Sequence, residues 1–220
     1  MKEKFRILCF WDSNTWGFIP GSDHKRYSKQ DRWTGILSEM LGSSYEVIEE
    51  GLNSRTLISN DTRSGREGRN GYEYLLPCLD SHDPLDLVII MLGSNEMKTN
   101  YYRNPREIGN IFEEYFVKKI ITRKSQCRNT YPKLLIIAPP LVTKENPNYI
   151  GAIKKSEMLN DIYEDISIRN DCIFLSNQDI EPGEDGIHLT RDSHRILASR
   201  LYKIIKENFE TKDIKKNPKL

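Results

Sequence analysis

Apolar residues in this chain fall into two rhythms. Five short runs are nearly continuous: Phe5 to Trp11, Tyr45 to Ile48, Pro84 to Met91, Leu134 to Ala138 and Cys172 to Leu175. Such runs suit strands covered on both faces of a sheet. Between them the apolar residues recur at helical spacing: Trp33, Ile36, Leu37, Met40 and Leu41; Leu75, Leu76 and Leu79; Ile108, Ile111, Phe112, Tyr115, Phe116 and Ile120; Met158, Leu159, Ile162, Tyr163 and Ile166; Ile196, Leu197, Leu201, Ile204 and Ile205. Helix-start signals precede these stretches. Asp31 is placed to cap the first, and Asn70 with Glu73 resembles a capping box. Asn104-Pro105-Arg106-Glu107 combines an N-cap, a proline at the first helical position and a glutamate at the third, and Thr190 precedes the last helix. Strand and helix therefore alternate five times. That order predicts an α/β fold with a parallel sheet and helices on both faces, in a single domain spanning 1–220. Its core covers about 5–208, followed by a charged tail over about 209–220.

Composition narrows the setting. The 220 residues are 37% hydrophobic and 30% charged with a net charge of +1, so no extended nucleic-acid surface is expected. The longest apolar runs are too short for a membrane span. The first ten residues lack the long apolar stretch and small-residue cleavage site of a signal peptide. Cys9, Cys78, Cys127 and Cys172 match no zinc-binding spacing. Cys9 and Cys172 fall in strand runs and read as buried thiols, which suits a reducing, cytoplasmic compartment.

In such a sheet the loops that follow the strands gather at one edge, where open α/β sheets bind ligands. The first strand ends in Asp12-Ser13-Asn14, the second runs into Glu49-Glu50-Gly51, the third ends in Gly93-Ser94-Asn95-Glu96, and Asp185-Gly186-Ile187-His188 follows the fifth. Taken singly, each is an ordinary turn, and Gly51 could serve only to allow a positive φ. Together they bring a hydroxyl, an imidazole of the kind that titrates near neutrality, a carboxylate three residues before it to orient the ring, and N–H donors for a developing oxyanion. That is the inventory of acyl transfer.

These blocks resemble the SGNH hydrolases, the GDSL-like lipase or esterase family. The resemblance runs over most of residues 5–205 and is nearest to the bacterial aryl-esterase and acyltransferase branch. It implies a flavodoxin-like three-layer α/β/α sandwich with a five-stranded parallel sheet in the order 2-1-3-4-5. It also implies catalytic Ser13, Asp185 and His188, and an oxyanion hole formed by Ser13, Gly51 and Asn95. No metal or organic cofactor is implied. The expected partner is a small-molecule ester, with neither nucleic acid nor membrane, and the same branch suggests a homo-oligomer. Two positions depart from the family pattern: Trp11 stands where the block has glycine, and Glu96 where it has aspartate. Trp11 and Trp16 flank the serine turn and are the candidate substrate-binding residues. The expectation for Trp11 is an indole at the edge of the acyl pocket that restricts the site to short acyl groups. Glu96, one methylene longer than aspartate, is expected to rearrange the hydrogen bonds to the nucleophile loop.

The function that follows is a serine esterase hydrolysing small acetyl or aryl esters through an acyl-enzyme, with acyl transfer to an alcohol as a further outcome. A carbohydrate O-deacetylase is the alternative within the class, because the polar loop 54–70 carries Arg55, Arg63, Arg66 and Arg69. A non-catalytic binding protein on the same scaffold is the alternative outside it.

Overall fold

Alternation along the strands explains the layers. The computed structural model describes residues 3–210, and the tail beyond lies outside them. Strands β1 (Phe5–Trp11), β2 (Tyr45–Gly51), β3 (Leu87–Met91), β4 (Lys133–Ile137) and β5 (Ile173–Leu175) form one parallel sheet in the order β2-β1-β3-β4-β5. The order expected from the sequence is the one observed. Successive residues of a strand face opposite sides. Leu8, Phe10, Val88, Ile90, Leu134 and Ile136 therefore point one way, and Ile7, Cys9, Trp11, Leu87, Ile89, Met91, Leu135 and Ile137 the other. Helices α3 (Gly71–Ser81), α4 (Pro105–Phe112), α5 (Lys118–Ile121) and α6 (Ala152–Arg169) cover the first face. Helices α2 (Trp33–Leu41) and α7 (Arg191–Ile205) cover the second. No described helix is long and apolar enough to cross a membrane.

The caps are mostly where the sequence puts them. Asn104 accepts from Glu107 N while the Glu107 carboxylate accepts from Asn104 N, a complete capping box. Thr190 accepts from Ser193 N, and Asn70 from Tyr72 N. Asp31 does not cap α2. Its carboxylate accepts from Ser28 Oγ and pairs with Arg191, and Arg32 stands at the N-cap without a side-chain bond. Strand β2 also outruns its apolar stretch, reaching Gly51 through two glutamates. Both carry partners. Glu49 holds Arg26, Arg32 and Thr34, and Glu50 holds His82. That extension sets Gly51 opposite Trp11, directly beside the serine turn.

Candidate active site

The turn after β1 is fixed by its own polar atoms. Asp12 accepts from Asn14 N at 3.0 Å and caps a four-residue helix, α1 (Ser13–Trp16). Gly17 closes it at φ 90°, with its N–H donating to Ser13 O. A Cβ at Gly17 would meet Arg32 Cδ at 2.3 Å, so backbone conformation and space both require glycine there. Ser13 opens α1, where an N–H has no acceptor within the helix.

Residues 175 positions apart then meet. His188 Nε2 lies 3.0 Å from Ser13 Oγ, and His188 Nδ1 lies 2.7 Å from Asp185 Oδ2. The other Asp185 oxygen accepts from His188 N at 2.9 Å and Ile187 N at 3.0 Å, which fixes the carboxylate against the turn. Burial alone would raise the Asp185 carboxyl. The hydrogen bond and charge of His188, with those two N–H groups, overcome it and hold the carboxyl at about 2. Asn14 ties this loop to α1: its Oδ1 accepts from Leu189 N at 2.8 Å, and its Nδ2 reaches Ile187 O at 3.4 Å. Phe18 stacks on the imidazole with ring centroids 4.4 Å apart. The sequence marks Asn14 only as part of the turn and does not mark Phe18, because each acts across a long separation with no spacing motif.

Gly51 is explained by close approach and not by φ. A Cβ there would lie 2.2 Å from Trp16 N and 2.6 Å from Thr15 C, so the end of β2 rests on the backbone of α1. Asn95 is buried. Its Nδ2 donates to Arg55 O at 2.9 Å and reaches Asp12 Oδ2 at 3.5 Å. Asp12 is wholly buried, which pushes its carboxyl up to about 6 in spite of the donors around it. Glu96 turns away from the nucleophile loop. Its Oε1 accepts from Leu57 N at 2.6 Å and from Arg103 at 3.3 Å, its Oε2 has no partner, and burial raises it to about 7. The extra methylene thus holds the segment after β2, while the amide of Asn95 meets Asp12.

One expectation needs correction. Trp11 does not border an acyl pocket. Strand parity sends its ring to the face of Ile7 and Cys9, where it is wholly buried 5.7 Å from the ring of Trp33. Its Nε1 has no hydrogen-bond partner. Trp16, the other candidate substrate-binding residue, is half-buried near the site, with the Arg26 guanidinium 5.0 Å from its ring and the Phe18 ring 6.5 Å from it. Arg55, one of the four arginines of the polar loop 54–70, turns inward. It is buried, donates to Trp11 O at 2.7 Å and to Glu50 O, and lies 4.1 Å from the Phe10 ring. It closes the carbonyl ends of β1 and β2.

A polar cavity of about 520 Å³ lies next to this arrangement. Asn60, Asp61, Arg63, Lys98, Asn100 and Asn148 line it, with Tyr149, whose hydroxyl is 3.5 Å from Asn95 Oδ1.

Residues 9–196 match the GDSL-like lipase/acylhydrolase family. Among solved structures, Est24, a carbohydrate acetylesterase from Sinorhizobium meliloti, is similar at 36% identity and a TM-score of 0.86, covering 94% of this chain and 100% of its own. The aryl esterase of M. smegmatis is also 36% identical, with a TM-score of 0.84 over 92% of this chain and 99% of its own. A second carbohydrate acetylesterase family member from Sinorhizobium meliloti is 30% identical, with a TM-score of 0.85 over 92% and 98%. No curated protein matches the chain.

Proposed function

The chain belongs to the GDSL-like lipase/acylhydrolase family and is a serine esterase of small acyl esters; from that premise we propose that Ser13 is its nucleophile, His188 its general base and Asp185 the group that orients His188. The observation that carries this reading is the unbroken chain Ser13 Oγ–His188–Asp185 at 3.0 and 2.7 Å. Ser13 Oγ attacks the ester carbonyl as its proton passes to His188 Nε2. The Nδ1–H bond to Asp185 keeps the ring in the tautomer that presents a lone pair to Ser13. The N–H groups of Ser13 and Gly51 and the amide of Asn95 receive the oxyanion, a term commonly worth 10²–10³ in rate per donor. His188 then protonates the leaving alcohol, and water releases the acyl group, with a second alcohol doing so where the acyl is transferred.

The polar cavity beside Asn95 favours a second reading within this function, a polyhydroxylated alcohol as the acyl carrier, as in a carbohydrate O-deacetylase. A non-catalytic role would need Trp11 to disturb the serine turn, and the burial of its ring in the core argues against that. A cytoplasmic setting is supported by four free cysteines, one of them exposed. Oligomerisation remains part of the proposal, and light scattering of the purified chain tests it. The chemistry is tested by a serine-directed fluorophosphonate. It should modify Ser13 alone in peptide mapping, and modification elsewhere with Ser13 untouched would overturn the assignment.

A further inference from the structure

Three metal-ligating side chains converge on the outer end of β2, and none of them belongs to the Ser13–His188–Asp185 chain. Glu50 is the penultimate residue of β2. Cys78 lies on α3, and His82, four residues on, is its C-cap. Residues at that spacing lie one above the other on a helix. Glu50 Oε1 is 2.9 Å from His82 Nε2. One ligand atom from each of the three falls within 4.8 Å of the others.

We propose that Glu50, Cys78 and His82 form a binding site for a borderline-soft divalent cation, Zn²⁺ by preference. The donor set is one sulfur, one imidazole nitrogen and one carboxylate oxygen, which suits Zn²⁺ better than a hard ion such as Mg²⁺ or Ca²⁺. Three protein ligands leave a fourth tetrahedral position for water. Zn–S near 2.3 Å and Zn–N near 2.0 Å put the donors of a tetrahedral site roughly 3.3–3.7 Å apart. The Glu50–His82 pair, at 2.9 Å, needs to open by a few tenths of an ångström, and the Cys78 sulfur, within 4.8 Å of both, lies at most about 1.5 Å beyond that spacing. On binding, the Cys78 thiol gives its proton to solvent, His82 binds through neutral Nε2, and the contact between His82 and Glu50 becomes a shared bond to the ion.

The surroundings allow it. Cys78 is buried and Glu50 and His82 are half-buried, so the site is sheltered without being sealed. Glu50 and Tyr74 border a cleft of about 390 Å³. Tyr74 sits one turn before Cys78 on the same stripe of α3, and its hydroxyl is 3.4 Å from Glu50 Oε1. Arg55 opposes a dication, but it faces the other oxygen, 4.0 Å from Glu50 Oε2, and is committed to Trp11 O and the Phe10 ring.

Titration of the full chain with Co²⁺ tests the site, because a thiolate ligand produces a near-ultraviolet charge-transfer band and tetrahedral geometry an intense visible one. One equivalent should produce both, and Zn²⁺ should abolish both. Cys78→Ser should remove the charge-transfer band, and His82→Gln should weaken Co²⁺ binding by about tenfold or more. Cys127→Ser should change nothing. Hydrolysis of p-nitrophenyl acetate by His82→Gln reports that the variant is folded, so the comparison survives if Cys78→Ser does not fold. The absence of a thiolate band in the unmodified chain would overturn the proposal, as would undiminished binding in folded His82→Gln.

Discussion

At the scale of single residues, environment rather than identity decides what a side chain does. Trp11 and Trp33 are buried against each other on the α2 side of the sheet. Trp11→Gly should therefore cost about 3–5 kcal/mol of stability, as large core truncations do. The ratio of kcat/KM for octanoyl and acetyl esters should not move; a shift toward octanoyl would return Trp11 to the acyl pocket. The sequence expectation failed here because a strand-end position says nothing of which face its ring takes until the register is known. Asn95 is a different case: its place at the end of the third strand is local to the turn, while its role as an oxyanion donor is part of the proposal. Asn95→Ala should lower kcat by about 10²–10³ with a smaller change in KM, measured on p-nitrophenyl acetate. A change confined to KM would make it a binding residue only. Arg55 and Phe18 could not be read in advance, since an arginine in a polar loop and a phenylalanine in a turn acquire their roles only when Trp11 O and His188 are brought to them.

At the scale of elements, the site depends on how closely β2 approaches α1. The backbone of Gly51 fills the space that a side chain would need. Gly51→Ala must push the helix that carries Ser13, so kcat should fall by about 10²-fold or more with the fold retained, as small misplacements of reacting groups do. Circular dichroism and kinetics together check this, and wild-type kcat would contradict it. The strands, the helix faces and most caps were readable because apolar period and capping chemistry are local. The length of β2 and the missing cap at Asp31 were not. Both turn on ion pairs with remote arginines, Arg26 and Arg32 on Glu49 and Arg191 on Asp31.

At the scale of the whole molecule, the five-stranded order brings the ends of β1, β2 and β3 and the loop after β5 to one edge, so groups 175 residues apart share a hydrogen bond. Burial also makes stability depend on pH. His194 is wholly buried beneath Trp33 and Tyr27, and burial, helped by Arg32, lowers it from 6.5 to about 4. Above pH 6.5 it is neutral in both states. Between 6.5 and 4 the unfolded chain takes a proton that the folded one refuses, so this contribution falls by on the order of 3 kcal/mol. Asp12 and Glu96, raised to about 6 and 7, act in the opposite sense, because the folded state keeps their protons as pH rises. The contribution of His194 is therefore the difference from His194→Gln, whose amide still accepts from Trp33 N. Urea unfolding from pH 7 to pH 4 should show that difference shrinking, and a constant difference would contradict the assignment. The central claim is that Ser13, activated by His188, is the nucleophile. It is tested most directly by the kcat of Ser13→Ala on p-nitrophenyl acetate, with folding verified by circular dichroism. A fall of roughly 10⁴-fold or more is expected, and near-wild-type turnover by the folded variant would contradict it.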